Sequence, residues 1–86
     1  MSQENILVVD DDQEIARAIS KLLSIEGYTP YLAYNGLEAL DVIMTEDIHL
    51  IILDVMMPKL DGLSTTMKIR EKKNIPIIIV VDKPSS

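Results

Sequence analysis

Two stretches limit most sharply what this chain can fold into: ILVVDDD at residues 6–12 and LIILDVMMPKLDG at residues 50–62. Each is an unbroken apolar run that ends in aspartate. Val/Ile/Leu runs without polar alternation mark strands buried on both faces of a parallel sheet. A carboxylate directly beyond such a strand is costly unless it is hydrogen-bonded, paired or bound to a cation. The fold must therefore deliver these acids to a place that tolerates their charge.

The rest of the chain supplies the elements between the strands. After Ile6–Val9, Asp11 or Asp12 offers a helix N-cap, with Glu14 placed for a capping-box contact. Ile15, Ala18, Ile19, Leu22 and Leu23 recur at helical spacing and Gly27 supplies the stop, predicting a helix over 13–26. Tyr28–Tyr34 alternates weakly as a strand, and its Pro30 lacks a ladder donor, which assigns it to the sheet edge. Asn35 and Gly36 turn the chain into a helix over 37–46 that carries Leu37, Leu40, Ile43 and Met44. His49–Leu53 is the second buried strand, closed by Asp54. A loop with Pro58 and Gly62 leads to a third helix over 63–73, ended by Asn74, and Ile75–Val81 is a last apolar strand. The order β-α-β-α-β-α-β implies a parallel sheet wrapped by helices on both faces through right-handed crossovers. At 86 residues, with no repeat or linker, residues 1–86 are expected to form one small domain.

Charge and composition exclude several functions. Fourteen acidic against eight basic side chains give a net charge of −6, which disfavours a nucleic-acid partner. Three Tyr with no Phe or Trp provide no base-stacking platform. The basic run KIREKK at 68–73 reads as a solvated helix face with cations near the C-terminal dipole end. Without cysteine there is neither a disulfide framework nor a thiolate metal site. No stretch reaches the roughly 18 apolar residues of a membrane span, and MSQEN does not resemble a signal peptide, so no membrane partner and a cytoplasmic location are expected. His49, the one histidine, reads as a partly exposed strand residue rather than a metal ligand.

Ligands of open parallel sheets bind beyond the carboxyl ends of the strands, where strand order reverses. Asp10 and Asp11 leave the end of the first strand and Asp54 leaves the end of the third. On neighbouring strands about 4.8 Å apart, their carboxylates would converge on one pocket and repel each other. A hard divalent cation such as Mg2+, with oxygen ligands and retained waters, relieves that repulsion. Taken singly, Asp11 and Asp12 are also good helix caps and Asp54 a good turn residue. Two apolar strands ending in acid at the ligand-binding end favour the joint reading.

ILVVDDD, the YNGLEAL turn and helix, LIILDVMMPKLDG and IPIII together resemble the receiver domain of bacterial two-component response regulators, from Ile6 to about Ile79. The resemblance implies a flavodoxin-like three-layer α/β/α fold with a parallel sheet, here of order 2-1-3-4. It implies that Asp54 is the phosphoacceptor, taking a phosphoryl group from a sensor histidine kinase. It further implies Mg2+ held by Asp10, Asp11, Asp54 and the backbone carbonyl of Met56, with Pro58 and Gly62 shaping the loop. An output domain in a longer parent protein is the other partner implied, and the chain is an acceptor module rather than an enzyme.

The sequence also departs from the family. Val81 stands where receivers carry a Ser or Thr, and the usual last α-β-α, with its lysine, has no counterpart up to Ser86. Lys83-Pro84 follows the fourth strand rather than a fifth and reads as polar-tail turn chemistry. IPIIIVV then becomes a long uncharged edge, predicting a homodimer or strand-swapped oligomer through residues 75–81. These departures give a second reading: a degenerate receiver serving as an interaction or dimerisation module without phosphotransfer. An aspartate-nucleophile phosphatase fits poorly, because Asp54 is followed by Val55 and Met56 with no second acid two residues on.

Overall fold

In the computed structural model the backbone is described for residues 4–54, 68–71 and 74–80, with side chains for all of these except Asp54 and Val80. The elements are β1 (Asn5–Val9), α1 (Gln13–Ile25), β2 (Thr29–Ala33), α2 (Gly36–Thr45), β3 (Leu50–Asp54) and β4 (Ile77–Val80). Residues 68–71 are helical, inside the third helix expected from the sequence; the remainder of that helix and the Pro58/Gly62 loop lie outside the described residues.

The four strands form one parallel sheet in the order β2-β1-β3-β4. Pro30 therefore sits in an edge strand, as its missing amide requires. β1 lies between β2 and β3, and its burial reflects this: Ile6, Leu7, Val8 and Val9 are all buried.

Residues that alternate along a strand serve opposite faces of the sheet. On one face Leu7, Val9, Ala33, Ile51 and Leu53 join Ala39 and Ile43 of α2, together with Ile69 and Ile75, in a single core cluster. On the other face Ile6 and Val8 are buried on the side where α1 lies, with Ala16 fully enclosed. α1 packs on β2 and β1 but leaves β3 and β4 more open. An open groove of about 450 Å³ runs there, lined by Glu4, Ile6, Leu23, Tyr28, Leu50, Ile52 and Ile78.

The helices begin and end as local chemistry dictates. Asp12 caps α1, its carboxylate accepting from the amides of Glu14 and Ile15 at 3.0 and 3.2 Å. With Asp12 as the cap, Glu14 stands one position too early for the reciprocal capping-box bond. α1 closes in a Schellman motif: Tyr28 N–H donates to the Leu23 carbonyl and Gly27 N–H to that of Ser24. Gly27 takes the positive φ of 97° that this closure needs, a conformation natural to glycine. α1 meets the sheet along a narrower stripe than its sequence suggests. Ile15, Ile19 and Leu23 are half-buried, but Ala18 and Leu22 are exposed. The helix lies over two strands rather than across the whole face, so part of its apolar side stays uncovered.

Candidate functional site

The carboxyl ends of all the strands share one rim of the sheet, and the acids are built onto it from the backbone up. β1 and β3 run parallel with Val9 registered on Leu53. One step further along each strand stand Asp10 and Asp54, so their backbones are neighbours on adjacent strands. Asp54 is the last residue of β3 itself and is registered with Val80 of β4. The sequence had ended that strand one residue earlier.

Asp10 is held from two directions. Its amide donates to the Ala33 carbonyl at 3.1 Å, extending the β1–β2 ladder by one residue. Its carboxylate accepts from the Asp12 amide at 2.9 Å, an Asx-type turn that starts the chain toward α1. With 5% of its surface exposed, Asp10 is the one buried charged residue among those described. A carboxylate enclosed this far must be compensated. Asp11 follows on the exposed rim, and Asp12 is committed to capping. Three successive aspartates thus take three environments: enclosed, open and capping.

Asp10 and Asp11 provide hard oxygen donors of the kind that suits Mg2+. Among the described residues no three His, Cys, Asp or Glu side chains gather into a ligand cluster. The set expected from the sequence needs the Asp54 side chain and Met56, and both lie outside the described residues. So do Val81, Lys83 and Pro84.

Two polar arrangements were not foreseen from the sequence. At the start of α2, Asn35 accepts from the Glu38 amide at 2.9 Å while the Glu38 carboxylate accepts from the Tyr34 amide at 2.7 Å. The Asn-x-x-Glu spacing of a capping box was the available signal. At the opposite rim, His49 Nδ1 accepts from the Asn5 amide at 2.9 Å and Nε2 lies 3.4 Å from Asp47. Asn5 Nδ2 donates to the Asp47 carbonyl at 2.8 Å, and the His49 amide donates to the Asn5 carbonyl at 2.8 Å. These bonds stitch residues more than forty positions apart, for which one sequence offers no local signal. His49 is partly exposed, as expected for a strand start. At the β2 edge, partial burial and then the Glu46 carboxylate 3.4 Å away raise the Tyr31 phenol above its ordinary titration range.

Among the described residues no helix is long and apolar enough to cross a membrane.

A family model described as "Response regulator receiver domain" matches residues 6–85. The chain is 46% identical over 78 residues to the probable transcriptional regulator ycf27 of Cyanidium caldarium, covering 91% of this chain and 31% of that protein. It spans about a third of the length of the curated relatives it matches first. Among solved structures, the response regulator protein TrrA of Thermotoga maritima, in complex with Mg2+-BeF, superposes with a TM-score of 0.86 at 38% identity, over 94% of this chain and 71% of that one. A structure of the histidine kinase ThkA in complex with TrrA matches with a TM-score of 0.87 at 37% identity, over 96% of this chain and 72% of that one.

Proposed function

Because this chain belongs to the response regulator receiver domain family, we propose that it is the phosphoacceptor module of a two-component system, with Asp54 as the acceptor. The observation that carries the reading is the parallel register of β1 on β3, Val9 on Leu53, which puts Asp10 and Asp54 next in the chain at the same carboxyl rim. A ligand-binding crevice of an open α/β sheet lies there.

The chemistry follows from the residue types. A carboxylate oxygen of Asp54 attacks the phosphorus of a phosphohistidine on a sensor kinase. A P–O bond forms as the P–N bond breaks, and the departing imidazole nitrogen keeps the electron pair and takes up a proton. The product is an acyl phosphate, and nothing is oxidised or reduced. Transfer of this kind is mainly positioning plus charge neutralisation. β3 lies between β1 and β4, which fixes the backbone that carries Asp54. Asp10, Asp11, Asp54 and the Met56 carbonyl are the proposed Mg2+ ligands. The enclosed Asp10 and the open Asp11 support that assignment, since both are hard oxygen donors at the rim. Bound Mg2+ would offset the negative charge of the acids and of the phosphoryl oxygens.

The proposed partners are a sensor histidine kinase, as in the ThkA–TrrA complex, an output domain such as a protein named a transcriptional regulator would carry, and a second copy of the chain through residues 75–81. The proposed location is the cytoplasm, with the chain acting as an acceptor rather than as an enzyme and folding as one domain. One observation favours the second reading, an interaction module without phosphotransfer. The β4 residue registered with Asp54 is Val80, followed in sequence by Val81, and neither brings a hydroxyl to the acceptor.

Incubation with Mg2+ and acetyl phosphate, read by intact-protein mass spectrometry, separates the two. The phosphoacceptor reading expects one phosphoryl adduct on the wild type and none on Asp54→Asn. An unmodified wild type that also shows no stability change with Mg2+ and beryllofluoride leaves the interaction module.

A further inference from the structure

We propose that His49 is a proton-operated clasp at the amino rim of the sheet: neutral, it holds the backbone of β1 to the start of β3; protonated, it lets that backbone go. The clasp is independent of any chemistry at Asp54 and of the phosphoacceptor reading.

The hydrogen bonds fix which ring nitrogen does what. Nδ1 accepts from the Asn5 amide at 2.9 Å, so it carries a lone pair, and the proton of the neutral ring sits on Nε2, 3.4 Å from the Asp47 carboxylate. A neutral imidazole has one acceptor and one donor, and here both are committed. The β1–β3 register begins at Ile6 and Leu50. The Asn5 amide lies one step before it and takes a side chain as its acceptor. Around this bond the His49 amide donates to the Asn5 carbonyl and Asn5 Nδ2 to the Asp47 carbonyl, both at 2.8 Å.

A second proton can enter the ring only at Nδ1, the nitrogen that accepts. Both nitrogens are then donors, and an N–H set against the Asn5 N–H repels where the lone pair had attracted. Imidazole is the side chain that makes this change near neutral pH. With 40% of its side chain exposed, His49 takes the proton directly from water, with no opening of the fold. Asp47 faces the other nitrogen, is 89% exposed, and stays a partner of Nε2 in both states. The other ionisable groups at this end of the sheet are Glu46, whose carboxylate accepts from the Tyr31 hydroxyl at 3.4 Å, and the exposed Glu4, Lys21, Glu26 and Tyr28. Asn74, Ile75 and Pro76, which lead into β4 beside Ile51, carry no charge.

The release is local. On its other side β1 stays tied to β2, where the Thr29 amide donates to the Glu4 carbonyl at 2.9 Å, and Ile6 to Val9 remain buried. The part that responds to acid is thus the amino end of the β1–β3 pair, the two strands that carry Asp10 and Asp54 at their far ends.

The test uses the 86-residue chain without Mg2+ or phosphoryl donor, followed by NMR at about pH 8 and about pH 5, on either side of the imidazole range. At the higher pH the ring nitrogen shifts are expected to show the proton on Nε2 and none on Nδ1. Solvent exchange at the Asn5 amide, corrected for the intrinsic pH dependence of exchange, is expected to lose about tenfold or more of its protection at the lower pH, while Leu7 and Val9 keep theirs. The loss should follow the titration of the ring. His49→Asn offers an amide oxygen in place of Nδ1 and takes up no proton, so it is expected to keep Asn5 protected at both pH values. A wild type with its proton on Nδ1 at the higher pH, equal Asn5 protection at both pH values, or the same loss in His49→Asn overturns the proposal. Should His49→Asn not fold, the tautomer and the Asn5 exchange of the wild type decide it.

Discussion

Asp12 shows how much one residue's position settles. Both Asp11 and Asp12 are good N-caps by type, and the sequence alone leaves the choice open. The Asx-type turn closed by Asp10 decides it, because accepting the Asp12 amide directs that residue into the cap. Asp12→Ala is expected to destabilise the fold by about 1 kcal/mol, read from the midpoint of urea unfolding. Asp10 and Asp11 were legible as site candidates because an apolar strand running into acid is unusual. Their different environments were not, since enclosure depends on β2 and α1 packing around them. The proposed metal site has its own expectation. At a Mg2+ concentration ten times its dissociation constant the wild type should gain about 1.4 kcal/mol, and Asp10→Asn/Asp11→Asn should gain none, by thermal unfolding with and without chelator. Tyr31 provides a pH signature. Its phenol titrates above the usual value near 10 through partial burial and then Glu46. The raised folded-state value means that its contribution is present below the unfolded value and is lost as pH rises through the folded one. Glu46→Gln should bring the titration back toward the ordinary range, followed by ultraviolet absorbance of tyrosinate.

At the scale of elements, strands were the easiest to read and helix faces the hardest. Continuous apolar runs specified β1 and β3 to within a residue, because burial on both faces leaves no polar position to confuse the pattern. Pro30 specified the edge. β4 begins at Ile77 rather than at the expected Ile75, and Val81, the expected end, lies outside the described residues. α1 was correct in extent but not in its buried face. Periodicity says that a helix has an apolar side, but not how many strands lie beneath it. The core rests on the face covered by α2, where Leu7 has no exposed surface. Leu7→Ala should therefore cost about 2–5 kcal/mol in denaturant unfolding, depending on how far its neighbours relax into the cavity. A substitution of exposed Leu22, on the same grounds, should change stability by less than about 0.5 kcal/mol.

For the molecule as a whole, the parallel sheet divides labour between its two rims. The carboxyl rim gathers the acids; the amino rim is sewn by His49, Asn5 and Asp47. The strand order was legible because an edge proline and two buried runs admit few arrangements, whereas the amino-rim stitching pairs distant residues and left no local trace. The same strand order has a consequence for how the protein is made. β1 lies inside the sheet yet is synthesised before the other described strands, and β3, the neighbour on one of its sides, is encoded more than forty residues later. Until Leu50–Asp54 emerges, a nascent chain holds one apolar ribbon with half its hydrogen-bonding groups waiting. Completion is therefore late, since Ile69, Ile75 and β4 follow later still, and a product released before residue 50 is expected to be handled by the cell's chaperones and proteases rather than persist as a smaller folded body.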